Sequence, residues 1–222
     1  MADAAVIFDV DGVLLELTHA EEELFFQPFA SRCDVNRLSR DWNSYQIRND
    51  QDIVAELVER HGLAKTEQAA ITAEYLELLD QHLSANKIIS QKIEGAAHLL
   101  ESCATFATLG IATANFREAA KLRLQQANLW SHVSVHAFGA DGGGHKHEIL
   151  GRALASINHP KSRIVYIGDN VNDAIAGLKH GVHFIGFSQN PQRLQKLREA
   201  GAINLSSNHC QTLALIKTLL TL

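Results

Sequence analysis

The chain has 222 residues, long enough to bury a sizeable core, and its 46% apolar and 20% charged content is that of an ordinary globular protein. A formal net charge of −5, with no Lys/Arg cluster, argues against nucleic acid or an anionic membrane surface as a partner. No apolar run reaches membrane-spanning length, and the amino terminus lacks the basic-then-apolar pattern of a signal peptide. Cys33, Cys103 and Cys210 are odd in number and have no CxxC spacing, which predicts reduced structural thiols in a cytoplasmic protein.

The first apolar run, AAVIF at 4–8, predicts a strand that ends in two carboxylates, Asp9 and Asp11, followed at once by Gly12. Like charges this close repel unless a cation or hydrogen-bond donors lie between them. From about 16 to 87 no strand pattern appears. Ile53, Val54, Leu57 and Val58 form one helical stripe, Ile71, Tyr75, Leu78, Leu79 and Leu83 another, and Gly62 separates them. So much helix after a first strand exceeds one crossover. It predicts an inserted helical cap domain at 16–87, with the core domain at 1–15 and 88–222.

Short apolar runs then recur at 105–112, 133–138, 163–167, 182–187 and 202–205. Runs apolar on both faces suit strands of a parallel sheet covered by helices on both sides. Asn115 with Glu118 resembles a capping box, predicting a helix to about 128. Asn170 opens another helix that Gly181 closes, and Pro191 starts a third through about 199. The alternation predicts a doubly wound, Rossmann-like α/β fold with a parallel sheet.

Ligands of such sheets bind beyond the carboxyl ends of the strands. After the first strand stand Asp9 and Asp11; after the second, Thr113, Ala114 and Asn115; after the third, glycines and then Lys146; after the fourth, GDNVND with Asp169 and Asp173. Asp9, Asp11 and Asp169 are placed to share a hard divalent cation, which prefers oxygen ligands.

DxDGV, then Thr, then Lys, then GDxxxD, in that order, resembles the haloacid dehalogenase-like hydrolase superfamily, in the branch of phosphoglycolate phosphatase and β-phosphoglucomutase. The resemblance covers essentially the whole chain, although the cap matches only in size and helicity. It implies a Mg²⁺-dependent phosphatase acting on a small phosphorylated metabolite, as a monomer or homodimer. Asp9 would be the nucleophile that becomes aspartyl-phosphate. Asp11 would be the acid for the leaving alcohol, then the base for water, and its main-chain carbonyl would bind the metal. Thr113, the amide of Ala114 and Lys146 would hold the phosphoryl oxygens. Asp169 would bind Mg²⁺ directly and Asp173 would act from behind it.

Each role has a plainer counterpart. Asp173 lies in the first turn of a helix, where an acid is favourable for dipole reasons alone, whereas Lys146 at a helix start opposes the dipole. Asn115 reads as a helix cap. Arg48, beside Asn49 and Asp50 at a helix start, either pairs with Asp50 or Asp52 or grips a second anion of the substrate, as a cap arginine does in related phosphomutases. His132, His136, His145 and His147 read as scattered surface histidines rather than a zinc cluster, since no cysteines accompany them. Neighbouring chemistries stay open. A phosphomutase would use the same aspartyl-phosphate, and a regulatory protein of the same fold would bind phosphate without turnover.

Overall fold

The computed structural model describes residues 3–221, and six strands form one parallel sheet. They are β1 (Ala5–Phe8), β2 (Thr108–Ala112), β3 (His136–Phe138), β4 (Ile164–Gly168), β5 (His183–Phe187) and β6 (Asn204–Ser206). Their spatial order is β3-β2-β1-β4-β5-β6. β1 and β4 are buried along their whole lengths, as expected of strands apolar on both faces. Ala5 of β1 lies opposite Thr108 on one side and Ile164 on the other.

The helices are α1 (His19–Phe26), α2 (Asp50–Arg60), α3 (Glu67–Ser84), α4 (Ala96–Ala104), α5 (Arg117–Gln126), α6 (Trp130–Val133), α7 (Lys146–Ile157), α8 (Val171–His180), α9 (Pro191–Glu199) and α10 (His209–Leu219). Alternation along each strand assigns them to faces. Val6 and Phe8 pack with Leu100 of α4, Leu124 of α5 and Ile216 of α10. Ala5 and Ile7 pack with Ile149 of α7, Ala174 of α8 and Leu197 of α9. The sheet is therefore doubly wound. Among the described residues no helix is long and apolar enough to cross a membrane, and all three cysteines are free.

Helices α1 to α3 hold an apolar cluster of their own, with Phe25, Phe26, Ile53, Leu57, Ile71 and Leu79 buried in it. Phe116 and Ala119 from the start of α5 complete that cluster, so it rests on the core at one helix end. The chain leaves the sheet and returns to it at one place. Glu16 N donates to Gln91 O at 2.9 Å, and Leu15 bridges to Lys92.

Two local expectations need correcting. Strands β2, β3 and β6 begin two or three residues later than their apolar runs, because Ala107 and Val133 are buried in turns and helix ends instead. Asn115 is not the cap of α5. Phe116 holds that position without a side-chain bond, and the Asn115 side chain serves the neighbouring loop. Asn170 and Gly181 do bound α8, with Gly181 in the left-handed region at φ +68°.

His209 shows how the core constrains titration. The ring is 4% exposed and stacks on Phe187 at 4.4 Å, and Nε2–H donates to Val13 O at 2.9 Å. Nδ1 is buried without a partner, the state of a neutral ring. Burial pushes its pKa down to about 4 from the ordinary 6.5, against the opposing bond to Val13. Below pH 6.5 the unfolded chain therefore takes a proton that the folded one refuses, and stability is lost as pH falls toward 4. Relative to His209→Gln, the wild type should lose about 2–3 kcal/mol between pH 7 and pH 4.5 in chemical denaturation. An unchanged difference between the two proteins would place the acid sensitivity elsewhere.

Candidate active site

The order of the sheet reverses between β1 and β4, and the predicted residues meet at the carboxyl ends of these strands. Asp9 follows β1 directly, its N–H donating to Ile167 O of β4 at 2.9 Å. The chain then turns tightly, with Leu14 N and Leu15 N both donating to Val10 O. Gly12 takes φ +75° in this turn, and a Cβ there would overlap the Asp169 carboxylate. Glycine is required for both reasons. Thr113 is tied to the next strand by its N–H, which donates to Phe138 O at 3.0 Å. Lys146 is the first residue of α7, and Asp169 follows β4.

Lys146 is the centre of the charge pattern. Its Nζ lies 2.8 Å from Asp9 Oδ1 and 3.0 Å from Asp173 Oδ1, with its side chain 7% exposed. Val10 N also donates to Asp9 Oδ1, at 2.8 Å. Burial lowers the Lys146 pKa, but Asp173 and Asp9 outweigh it and hold the ammonium above its ordinary value. Burial raises Asp9 well above the usual carboxylate range; Lys146 opposes this, and Asp173 and Asp169 push further. Asp169 rises to about 7, first through burial and then through Asp173, with Arg193 opposing. Arg193, half exposed on α9, is hydrogen-bonded to Asp169.

Carboxylate oxygens of Asp9, Asp169 and Asp173 lie within 4.8 Å of one another. All-oxygen donors in a buried site with more acid than base fit a hard divalent cation. The group that gathers differs from the expected one. Asp173 joins it, while the Asp11 carboxylate lies 2.7 Å from the Arg123 guanidinium. Asp173 also satisfies the plainer expectation, because its Oδ2 accepts from Asn170 N at 3.0 Å in a capping box. Its Oδ1 accepts from Tyr166 OH at 2.6 Å. Both of its oxygens are thus already engaged.

A cleft of about 1050 Å³ opens over these residues. Thr113, Ala114 and Lys146 line it, as do Trp42, Ile47 and Arg48 from the helical segment. The expected pairing of Arg48 with Asp50 or Asp52 does not form. Asp50 Oδ2 accepts from Phe116 N at 2.8 Å, and Asp52 Oδ2 accepts from Gly144 N at 2.8 Å. Burial raises Asp50 to about 7, with the Phe116 N–H pulling the other way. Arg48 Nε is buried with no partner among the described residues. Of the four histidines, His145 and His147 line the cleft with their rings stacked at 5.8 Å, and His136 bonds Ser156 Oγ. Among the described residues only the three aspartates form a metal-sized group.

Sequence reasoning missed Arg123, Glu21, Tyr166 and Arg193. Arg123 carried one signal: it sits at helical spacing from Ala119, Ala120 and Ala127, a charge on a face otherwise apolar.

A family model described as haloacid dehalogenase-like hydrolase matches residues 6–187. No curated protein sequence matches the chain. Among solved structures, CbbY from Rhodobacter sphaeroides in complex with phosphate is 20% identical, covers 94% of this chain and 95% of its own, and superposes with a TM-score of 0.73. A mutant of the same protein, in complex with xylulose-(1,5)bisphosphate, gives 20% identity over the same shares with a TM-score of 0.72. A predicted phosphatase from Clostridium acetobutylicum is 19% identical over 100% of both chains, with a TM-score of 0.69.

Proposed function

The chain belongs to the haloacid dehalogenase-like hydrolases, and on that premise we propose that it is a Mg²⁺-dependent phosphatase of a small phosphorylated metabolite, working through an aspartyl-phosphate at Asp9. The observation that carries this reading is the buried Lys146 ammonium, 2.8 Å from Asp9 and flanked by Asp173, at the point where the sheet order reverses.

In this reading an Asp9 oxygen attacks phosphorus as the ester P–O bond breaks. Asp11 gives the leaving alcohol its proton, then takes one from the water that cleaves the acyl phosphate. Lys146, Thr113 and the Ala114 amide hold the phosphoryl oxygens, whose charge needs fixed donors in a site shielded from water. Asp9, Asp169 and the main-chain carbonyl of Asp11 would hold Mg²⁺, with Asp173 fixing Lys146 and the helix start behind them. When bound, the ion offsets the repulsion between the Asp9 carboxylate and the phosphate dianion.

Residues 16–87 serve as the cap and 1–15 with 88–222 as the core; the paired linkers at Glu16 and Gln91 support that division. A phosphomutase would share the same phosphorylated aspartate and differ only in passing the group to a sugar hydroxyl rather than water. Release of inorganic phosphate from p-nitrophenyl phosphate and a panel of phosphorylated metabolites, with and without Mg²⁺, tests the reading. Mg²⁺-dependent release supports hydrolysis. Phosphoryl exchange between sugars without release would favour the mutase, and binding without either would leave a regulatory protein.

Arg48 gives the substrate a second requirement. A guanidinium facing the cleft with no carboxylate partner suits a ligand with a second anion, a carboxylate or another phosphate. The bisphosphate in the CbbY mutant has two such ends. Arg48→Ala should lower kcat/KM for doubly anionic substrates by about 10- to 100-fold, the scale of one charge-assisted contact. Turnover of p-nitrophenyl phosphate, which has no second anion, should be nearly untouched. Equal effects on both substrates would move specificity to another part of the cap.

A further inference from the structure

Arg123 is among the largest fully buried side chains of the described residues, and it lies outside the motifs that carry the family resemblance. It projects from α5 into the junction between the helical insertion and the sheet. Its NH2 donates to Glu16 O at 3.1 Å and lies 2.7 Å from Asp11 Oδ1, a buried oxygen whose only close partner among the described residues is this ion-pair contact, outside hydrogen-bond geometry. Its Nε donates to Glu21 Oε1 at 2.8 Å, and its NH1 to Asn115 Oδ1 at 3.3 Å. Asn115 Oδ1 in turn accepts from Thr113 Oγ1 at 3.3 Å. One planar fork therefore touches Asp11, the outgoing linker, the insertion and the loop that carries Thr113.

Glu21 is 2% exposed on α1 and does not line the cleft. It also accepts from Thr18 N and Oγ1 in the α1 capping box, and from Ser90 Oγ on the returning linker. Its charge balances the guanidinium, so the pair offers Asp11 a fixed ion-pair contact without a net charge. A buried ion pair contributes little to stability compared with apolar packing of the same size, and its better-attested use is to fix geometry. Lysine could not replace this arrangement, because a single ammonium lacks the fork that reaches two carboxylates and a carbonyl at once.

We infer that Arg123 is the positioning residue for Asp11, and that Glu21 ties that position to the cap. Asp11 is then aimed at the leaving-group oxygen only while the insertion sits where Glu21 can hold the guanidinium. The inference rests on the phosphatase reading and concerns the acid step within it.

Two variants test it, Glu21→Gln and Arg123→Lys, with melting temperature as the check on folding. The readout is kcat/KM for an alkyl phosphate and for p-nitrophenyl phosphate, which covers the steps through loss of the alcohol. An alkoxide leaving group needs the acid, and p-nitrophenolate leaves without it. General acid catalysis contributes about 10²- to 10⁴-fold, so misaiming Asp11 should cost the alkyl ester about 10- to 100-fold and the activated ester far less. Equal losses on both esters, or none on either, would overturn the inference and leave Arg123 a structural ion pair. Glu21→Gln keeps Arg123 and the cleft lining intact, so it decides the matter even where Arg123→Lys does not fold. If the unaltered protein turns over neither ester, the phosphatase reading fails first and takes this inference with it.

Discussion

Asp9→Asn is expected to abolish phosphatase turnover while the protein stays folded. Asparagine keeps the shape and still accepts from Val10 N and Lys146, but its neutral amide cannot attack phosphorus. Removing a nucleophile or misassigning its proton in other covalent enzymes costs about 10⁴- to 10⁶-fold, and the same scale applies here. Folding should not suffer. Burial first, and then Asp173 and Asp169, raise the Asp9 pKa against the pull of Lys146, so a neutral side chain is cheaper to bury and relieves repulsion with the two aspartates. The metal-free variant should melt at or above the wild-type temperature. Substantial turnover in Asp9→Asn would rule out the aspartyl-phosphate route.

Asp169→Ala is expected to remove most of the Mg²⁺ affinity, and Asp173→Ala less of it. The Asp169 carboxylate is held against Gly12 and has Arg193 as its partner, a half-exposed side chain able to swing away. Asp173 has no such freedom, since Tyr166, Lys146 and Asn170 engage both of its oxygens. Groups that act behind the direct ligands typically cost about 10- to 100-fold in affinity when removed. Calorimetric titration of Mg²⁺ should therefore give a measurable but weakened Kd for Asp173→Ala and no resolvable binding for Asp169→Ala. The reverse order would exchange the two roles. Arg193→Gln adds a control: losing its competition for Asp169 should tighten Mg²⁺ binding.

The parallel sheet was legible because its central strands, β1 and β4, are buried on both faces and end at turns, which a sheet covered by helices requires. The site was legible for a related reason. Carboxylates and a lysine at the ends of such strands are costly to bury, so they stand out against the apolar runs before them. What stayed hidden was pairing. Nothing in the string says that Arg123 would meet Asp11 and Glu21, residues 112 and 102 positions earlier, because that contact exists only once α1 and α5 pack. Asn115 misled for a different reason: its pattern suited a cap, but Thr113 just before it and Arg123 on the following helix took the side chain instead. Arg48 had two local acids within reach in sequence. Both were claimed by the core, Asp50 by Phe116 and Asp52 by Gly144, which left the guanidinium to the cleft.

The most direct measurement is chemical trapping of the phosphorylated residue. Enzyme quenched in acid during turnover with Mg²⁺ and a phosphate monoester is reduced with borohydride, which converts an aspartyl-phosphate to homoserine, and the peptides are read by mass spectrometry. Homoserine at position 9, absent without substrate and absent in Asp9→Asn, is the predicted result. Phosphate release with an unmodified Asp9, or homoserine at another aspartate, would contradict it.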